Sequence, residues 1–112
     1  MKLLSRQEEI VLLCIWRLKD NAYGVTIREL ISGITGKYWS IGSIYVPLEK
    51  LVDKGYIRPF QGEVTKKRGG RSKRFYKIMP EGMAALAEIQ KVSNALWDGF
   101  PTTAAEKNEQ KV

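Results

Sequence analysis

The chain has 112 residues, 44% of them hydrophobic, which suits one domain with its own core and argues against disorder. It has no histidine and a single cysteine, Cys14, which excludes internal disulfides, Cys/His zinc sites and histidine-based catalysis. The net charge is +7, yet Lys66, Lys67, Arg68, Arg71, Lys73 and Arg74 supply six cations within residues 66–74, with no acid among them, leaving +1 for everything else.

A cluster of that kind marks a polyanionic partner rather than general solubilisation. The longest apolar run, Ile10 to Trp16, is far short of the ~20 residues that span a bilayer. There is no signal-peptide pattern at the N-terminus. The expectation is a soluble cytoplasmic protein with no membrane partner.

In chain order, Ser5 with Glu8 three positions on forms a capping box at the start of a helix over 5–19. Ile10, Val11, Leu12, Leu13, Cys14, Ile15, Trp16 and Leu18 crowd around it, where an amphipathic surface helix needs one stripe. Its second face belongs to a larger core or to another chain. Cys14 reads as a buried, inert thiol. Asn21 and Gly24 make a turn, and Thr26 with Glu29 gives a second capping box. Ile27, Leu30, Ile31 and Ile34 form the next helical stripe, and Gly36 stops it.

Ser40 caps a third helix, in which Ile41, Ile44, Tyr45, Leu48, Leu51 and Val52 recur at helical spacing until Gly55. Its other face, Gly42, Ser43, Val46, Pro47, Lys50 and Lys54, is small, short or cationic. That face is either ordinary solvated surface or trimmed to approach a groove. The basic cluster that follows favours the groove.

Residues 56–63 and 73–79 read as two short strands with the basic, glycine-containing stretch at their hairpin tip. Pro80 and Glu81 open a last helix reaching about Asp98. Ala85, Ile89, Val92 and Leu96 form a near-heptad seam along it. Gly99 and Pro101 end it, and residues 102–112 read as a frayed polar tail.

The order helix, helix, helix, strand, basic tip, strand, helix predicts an α+β, mostly α fold. It is a winged helix-turn-helix over 1–79, with a C-terminal dimerisation helix over 80–98 and a flexible tail over 99–112. The helix over 41–54 suits a major groove, with the wing on flanking phosphates or in the minor groove.

The residues also resemble a known family. Ala22-Tyr23-Gly24-Val25-Thr26-Ile27-Arg28-Glu29-Leu30 is similar to the helix-two entry of PadR-type transcriptional regulators. Ser40-Ile41-Gly42-Ser43-Ile44-Tyr45, then Leu48, Leu51 and Gly55, resembles their recognition helix. Arg68-Gly69-Gly70-Arg71-Ser72-Lys73-Arg74-Phe75-Tyr76, then Pro80-Glu81-Gly82, resembles their wing and final-helix start. The resemblance spans residues 3–97, with the short final helix of the family's compact branch. It implies a winged-helix homodimer, usually a repressor. Pro47 departs from the pattern, because in the family a proline here most often follows the tyrosine directly, and Val46 intervenes. The exact groove-facing register therefore stays open.

The candidate DNA-binding residues are Tyr23, Ser40, Ser43, Tyr45, Lys50, Lys66, Lys67, Arg68, Arg71, Lys73 and Arg74. Ser40 also serves as a plain helix cap. Tyr23 is a turn-packing aromatic by spacing and a phosphate contact by resemblance. Tyr45 falls on the buried side by spacing, with a hydroxyl able to emerge at the DNA surface. Ala85, Ile89, Val92 and Leu96 are the candidate dimer seam. Trp16 and Trp97, with Leu96 and Phe100, are candidates for lining a space between subunits that takes a flat aromatic effector, as the resemblance implies. No cofactor or metal is expected.

The reading is a sequence-specific DNA-binding repressor acting as a homodimer on a palindromic operator. The alternative is a winged-helix module that binds protein without binding DNA. An enzyme is not expected: there is no histidine, no metal-ligand cluster, and residues 68–74 lack the spacing of a nucleotide-binding loop.

Overall fold

The computed structural model describes residues 4–62 and 73–101. The order is α1 (Arg6–Leu18), a 3₁₀ turn (Lys19–Asn21), α2 (Gly24–Thr35), α3 (Ile41–Asp53), β1 (Ile57–Gln61), β2 (Arg74–Ile78) and α4 (Pro80–Trp97). This is the mostly helical α+β order expected, with both strands shorter by one or two residues at each end. Residues 66–72 of the basic stretch and the tail 102–112 lie outside the described residues.

The capping box at α1 forms: Ser5 Oγ accepts from the Glu8 amide at 3.1 Å and Glu8 Oε1 accepts from the Ser5 amide at 2.8 Å. The box expected at Thr26 does not start α2, which begins earlier, at Gly24. Thr26 Oγ1 instead accepts from the Tyr23 amide at 3.0 Å and donates to the Asn21 carbonyl at 2.6 Å. Its hydroxyl satisfies the turn before the helix, so the helix start slides toward Tyr23. Gly36 ends α2 with φ 71°, the left-handed stop expected of it.

The core is built on α1. Val11, Leu12, Cys14 and Ile15 meet Ala22, then Ile27 and Ile31 of α2, Ile44, Leu48 and Leu51 of α3, and Ile57 and Tyr76 of the strands. Each large apolar side chain so buried contributes roughly 1.5–3 kcal/mol. Burial pushes the Cys14 thiol up to about 11, which matches the inert reading. Leu13 and Trp16 stay exposed on the other side of α1, so the second face is open.

α3 is rotated relative to the sequence expectation. Pro47, placed on the outer face by spacing, is buried, whereas Ile41 and Tyr45, placed inward, are exposed. The proline ring has no amide proton to satisfy and fits an apolar contact well. Ile41 is the first residue of the helix, ahead of the packed turns. The helix is continuous from Ile41 to Asp53 through Pro47.

Lys54 is also not a solvated cation: its Nζ donates to Glu8 Oε2 at 2.7 Å. The Glu8 side chain is almost fully enclosed. Burial opposes its charge, and hydrogen bonds from Lys54 and Ser5 outweigh that, holding its carboxyl below the usual glutamate range.

β1 and β2 pair antiparallel with Ile57 opposite Ile78 and Pro59 opposite Tyr76. The Tyr76 amide donates to the Ala22 carbonyl at 2.8 Å, and Tyr23 bridges to Phe75, so the hairpin base is tied to the entry of α2. Gly82 at the start of α4 is buried, and a Cβ there would run into the Tyr56 carbonyl. Along α4, Ala85 and Ile89 are half-buried, while Val92 and Leu96 are exposed, Leu96 at 79%.

Two stability predictions arise here. Glu8→Ala, which breaks an enclosed ion pair and a cap, lowers stability by about 2–3 kcal/mol in urea unfolding. Because the folded carboxyl titrates below its unfolded value of 4.5, the stabilisation it gives is complete above that pH. It is lost as pH falls through the folded value. Glu8→Gln removes this part of the acid sensitivity, which unfolding curves at pH 7 and pH 3 compare directly. Separately, Tyr76 Oη is buried without a hydrogen-bond partner among the described residues. Tyr76→Phe therefore keeps or raises the melting temperature, because it removes an unsatisfied hydroxyl worth about 1–3 kcal/mol of desolvation.

Candidate nucleic-acid interface

α3 presents its first turns outward because its inner strip, Ile44, Pro47, Leu48 and Leu51, is consumed by the core. At its start Ser40 Oγ accepts from the Ser43 amide at 3.2 Å, and the two serine hydroxyls lie 2.9 Å apart. Both residues are exposed. Ser40 is thus a helix cap, and both hydroxyls stand at the positive end of the helix dipole, where an anion is favoured. Lys50 lies two turns on, exposed. It borders a cleft of about 530 Å³ with Ser5, Gln7, Ser40, Ser43 and Val46.

Tyr45 lies across the entry of α2. A Cβ on Gly24 would sit 2.7 Å from its hydroxyl oxygen, so glycine is what lets the ring lie there. Tyr45 remains 43% exposed and borders a small cleft between α2 and α3.

The wing root is an aromatic stack with cations on it. Tyr23 meets Phe75 edge-on at 5.1 Å between ring centres, and Phe75 stacks on Phe60 at 5.6 Å. Lys73 Nζ donates to Tyr23 Oη at 2.8 Å and lies 4.0 Å from that ring's centre. Arg74 lies over Tyr76 at 5.4 Å and pairs with Glu49 of α3 at 3.5 Å. Both partners of that pair are half exposed, so the pair is weak and Arg74 remains available to a stronger anion.

Tyr23, Ser40, Ser43, Tyr45, Lys50, Lys73 and Arg74 are thus carried by the entry of α2, the outer face of α3 and the base of the wing. Lys66, Lys67, Arg68 and Arg71 fall outside the described residues. Sequence reasoning missed Glu49, whose partner lies across the fold. It also missed Arg28, whose guanidinium donates to Tyr38 Oη at 3.3 Å beside the α2–α3 turn. The exposed Tyr38 next to a helix-spaced arginine was the available signal for the second of these.

A second feature lies away from these residues. α1 and α4 enclose a groove of about 370 Å³ lined by Glu9, Leu13, Trp16, Met83, Leu86 and Ile89 among others. Trp16 lines it, whereas Trp97 packs edge-on against Phe100 at 4.9 Å and is 60% exposed. Within one chain the two tryptophans do not share a site. No cluster of potential metal ligands occurs among the described residues, and no helix among them is long and apolar enough to cross a membrane.

Among solved structures, the chain is similar to RosR of H. salinarum, at 18% identity and TM-score 0.65, covering 96% of this chain and 87% of that one. It is similar to a PadR family transcription regulator from Clostridium difficile, at 21% identity and TM-score 0.65, covering 82% and 90%. A PadR-like transcription factor from Bacteroides fragilis gives 21% identity and TM-score 0.66, covering 80% and 81%. These likenesses establish the fold. Among curated protein sequences none matches the chain. The profile of the transcriptional regulator PadR-like family matches residues 12–88, which run from the core of α1 through the wing into α4. With its winged helix, its exposed α3 and its cationic wing base, the chain belongs to the PadR-like family of transcriptional regulators.

Proposed function

We propose that this regulator is a repressor that binds a palindromic operator as a homodimer and is released by a flat aromatic effector held between subunits. The observation that carries the reading is the small, hydroxyl-bearing outer face of α3 set beside a wing base that carries Lys73 and Arg74. A helix of that profile enters the major groove while the wing meets the backbone.

The homodimer is supported by what α1 and α4 leave uncovered. Leu13, Trp16, Met83, Val92 and Leu96 are exposed, and Ala85 and Ile89 of the seam are half-buried. Leu13, Trp16, Met83 and Ile89 line one groove, and exposed apolar surface of that kind marks an interaction site. A second copy laying its own α4 there is the occupant proposed, through Ala85, Ile89, Val92 and Leu96. Trp16 of the groove, with Trp97 near the end of α4, is then the proposed effector contact, since indole faces reward flat and cationic rings.

Sedimentation at micromolar concentration is expected to give a dimer, and Ile89→Glu with Leu96→Glu a monomer of weakened DNA affinity; a wild-type monomer would remove the interface. Binding to operator DNA, with about six to eight phosphates neutralised per dimer, falls with salt at a log–log slope of roughly −5 to −7. Arg71→Ala with Arg74→Ala flattens that slope by up to about two units per subunit; an unchanged slope would take the wing off the DNA. Aromatic dyes are expected to quench tryptophan emission, with the quenching lost in Trp97→Ala. Quenching that survives would move the site to Trp16, and none with any dye would leave a regulator without an aromatic effector.

A further inference from the structure

We infer that α3 reads thymine: Ile41 and Val46 are specificity-determining side chains that pack on C5-methyl groups in the major groove, and Gly42 lets the helix approach closely enough for them to do so. This rests on the DNA-binding reading above and deepens it.

The first ground is what α3 lacks. Residues 41–48 contain no Arg, Lys, Asn, Gln, Asp or Glu. The side chains that read guanine or adenine through paired hydrogen bonds are therefore missing from the first two turns. The second is what those turns expose. Ile44, Pro47 and Leu48 face the core, while Ile41 is 59% and Val46 56% exposed. The hydroxyls beside them have close neighbours within the fold. Ser43 Oγ is within hydrogen-bonding distance of Ser40 Oγ, and the Tyr45 hydroxyl lies over Gly24.

The third ground is Gly42. It is exposed, its φ is not positive, and a Cβ there would meet nothing closer than Ser40 Oγ at 4.0 Å. Glycine weakens a helix relative to alanine, and nothing among the described residues requires it. An approaching partner surface would.

The chemistry then selects the ligand. Lys50 and Lys73 flank this face and favour a polyanion. On a DNA major groove the apolar feature available to an aliphatic side chain is the thymine methyl group. Specificity on α3 therefore comes from aliphatic contact, and phosphate contacts supply most of the affinity.

The test uses the full chain and duplexes enriched from a random 30-base-pair library (roughly three helical turns, which accommodates two half-sites). Each thymine of an enriched duplex is replaced in turn by deoxyuridine, which deletes the methyl group alone. At one or two positions per half-site the replacement weakens binding about fourfold per methyl group. Ile41→Ala or Val46→Ala weakens binding to the thymine duplex by a similar factor, and deoxyuridine at the matching position then costs nothing more. Gly42→Ala melts at a higher temperature than wild type yet binds the duplex more weakly.

Duplexes that bind with no sensitivity to any methyl group would overturn the inference and leave DNA binding intact. Equal penalties in wild type and both variants would reassign the methyl contact to other residues and overturn it too. Tighter binding by Gly42→Ala would overturn the close approach. A failure to enrich or bind any duplex would overturn DNA binding itself.

Discussion

Four side chains, Ile44, Pro47, Leu48 and Leu51, seat α3 on α1 and α2, and that strip sets what the helix can offer outward. Non-directional apolar contact alone leaves a helix free to roll by a fraction of a turn, because one aliphatic neighbour replaces another at little cost. Two specific contacts, one an ion pair and one a close fit, remove that freedom. At the C-terminal end Lys54 is held by the enclosed Glu8 carboxylate. Near the N-terminal end the Tyr45 ring is lodged against Gly24. The ion pair is a poor source of net stability, since desolvation consumes much of its attraction. Its value lies in direction: a misplaced α3 would leave a carboxylate buried without its cation.

The same logic extends to the wing. A two-stranded hairpin is marginal by itself, and here it is joined to the helices by the Tyr76-to-Ala22 backbone bond and by the Tyr23–Phe75–Phe60 stack. The wing base is therefore fixed to the entry of α2. Electrostatics follow from that placement. Lys54 is neutralised by Glu8 and Arg74 is shared with Glu49. Among the described residues, the cations of α3 and the wing base open to a partner include Lys50, Lys73 and the weakly held Arg74. The net charge of +7 is thus concentrated in sequence, since six cations lie within residues 66–74.

Much of this was legible in the sequence wherever the signal was local. Ser5 with Glu8, Ser40 before Ile41, Gly36 after α2 and Pro80 at the start of α4 all act within a turn of their own position, and each sits where the pattern placed it. The misreadings are the positions decided by distant partners. Lys54 falls on the outer, groove-facing side by spacing because its partner Glu8 is 46 residues away. Pro47 looked like an outer residue because periodicity alone treats proline as a break, whereas its ring carries no polar hydrogen and packs well in a core. Thr26 looked like a cap for its own helix because the Tyr23 amide, its actual donor, gives no sign in composition. In the candidate interface the hydroxyls and cations could be named in advance, but the exposure of Ile41 could not, since it depends on how far α3 is rolled.

α1 is the element that packs against both the winged helix and α4. Val11, Leu12 and Ile15 bind it to the winged helix, while Leu13 and Trp16, interleaved on the same rigid helix, line the groove against α4. A helix of 13 residues does not shear internally, because its backbone hydrogen bonds would have to break. On the reading proposed above, an occupant of the groove would alter DNA affinity by displacing α1 as a body. That displacement reaches α3 through its apolar seat and through Glu8, which grips Lys54 from the first turn of α1. An occupant that leaves α1 in place binds without consequence for DNA, however tightly, because only a difference in affinity between two arrangements shifts their balance.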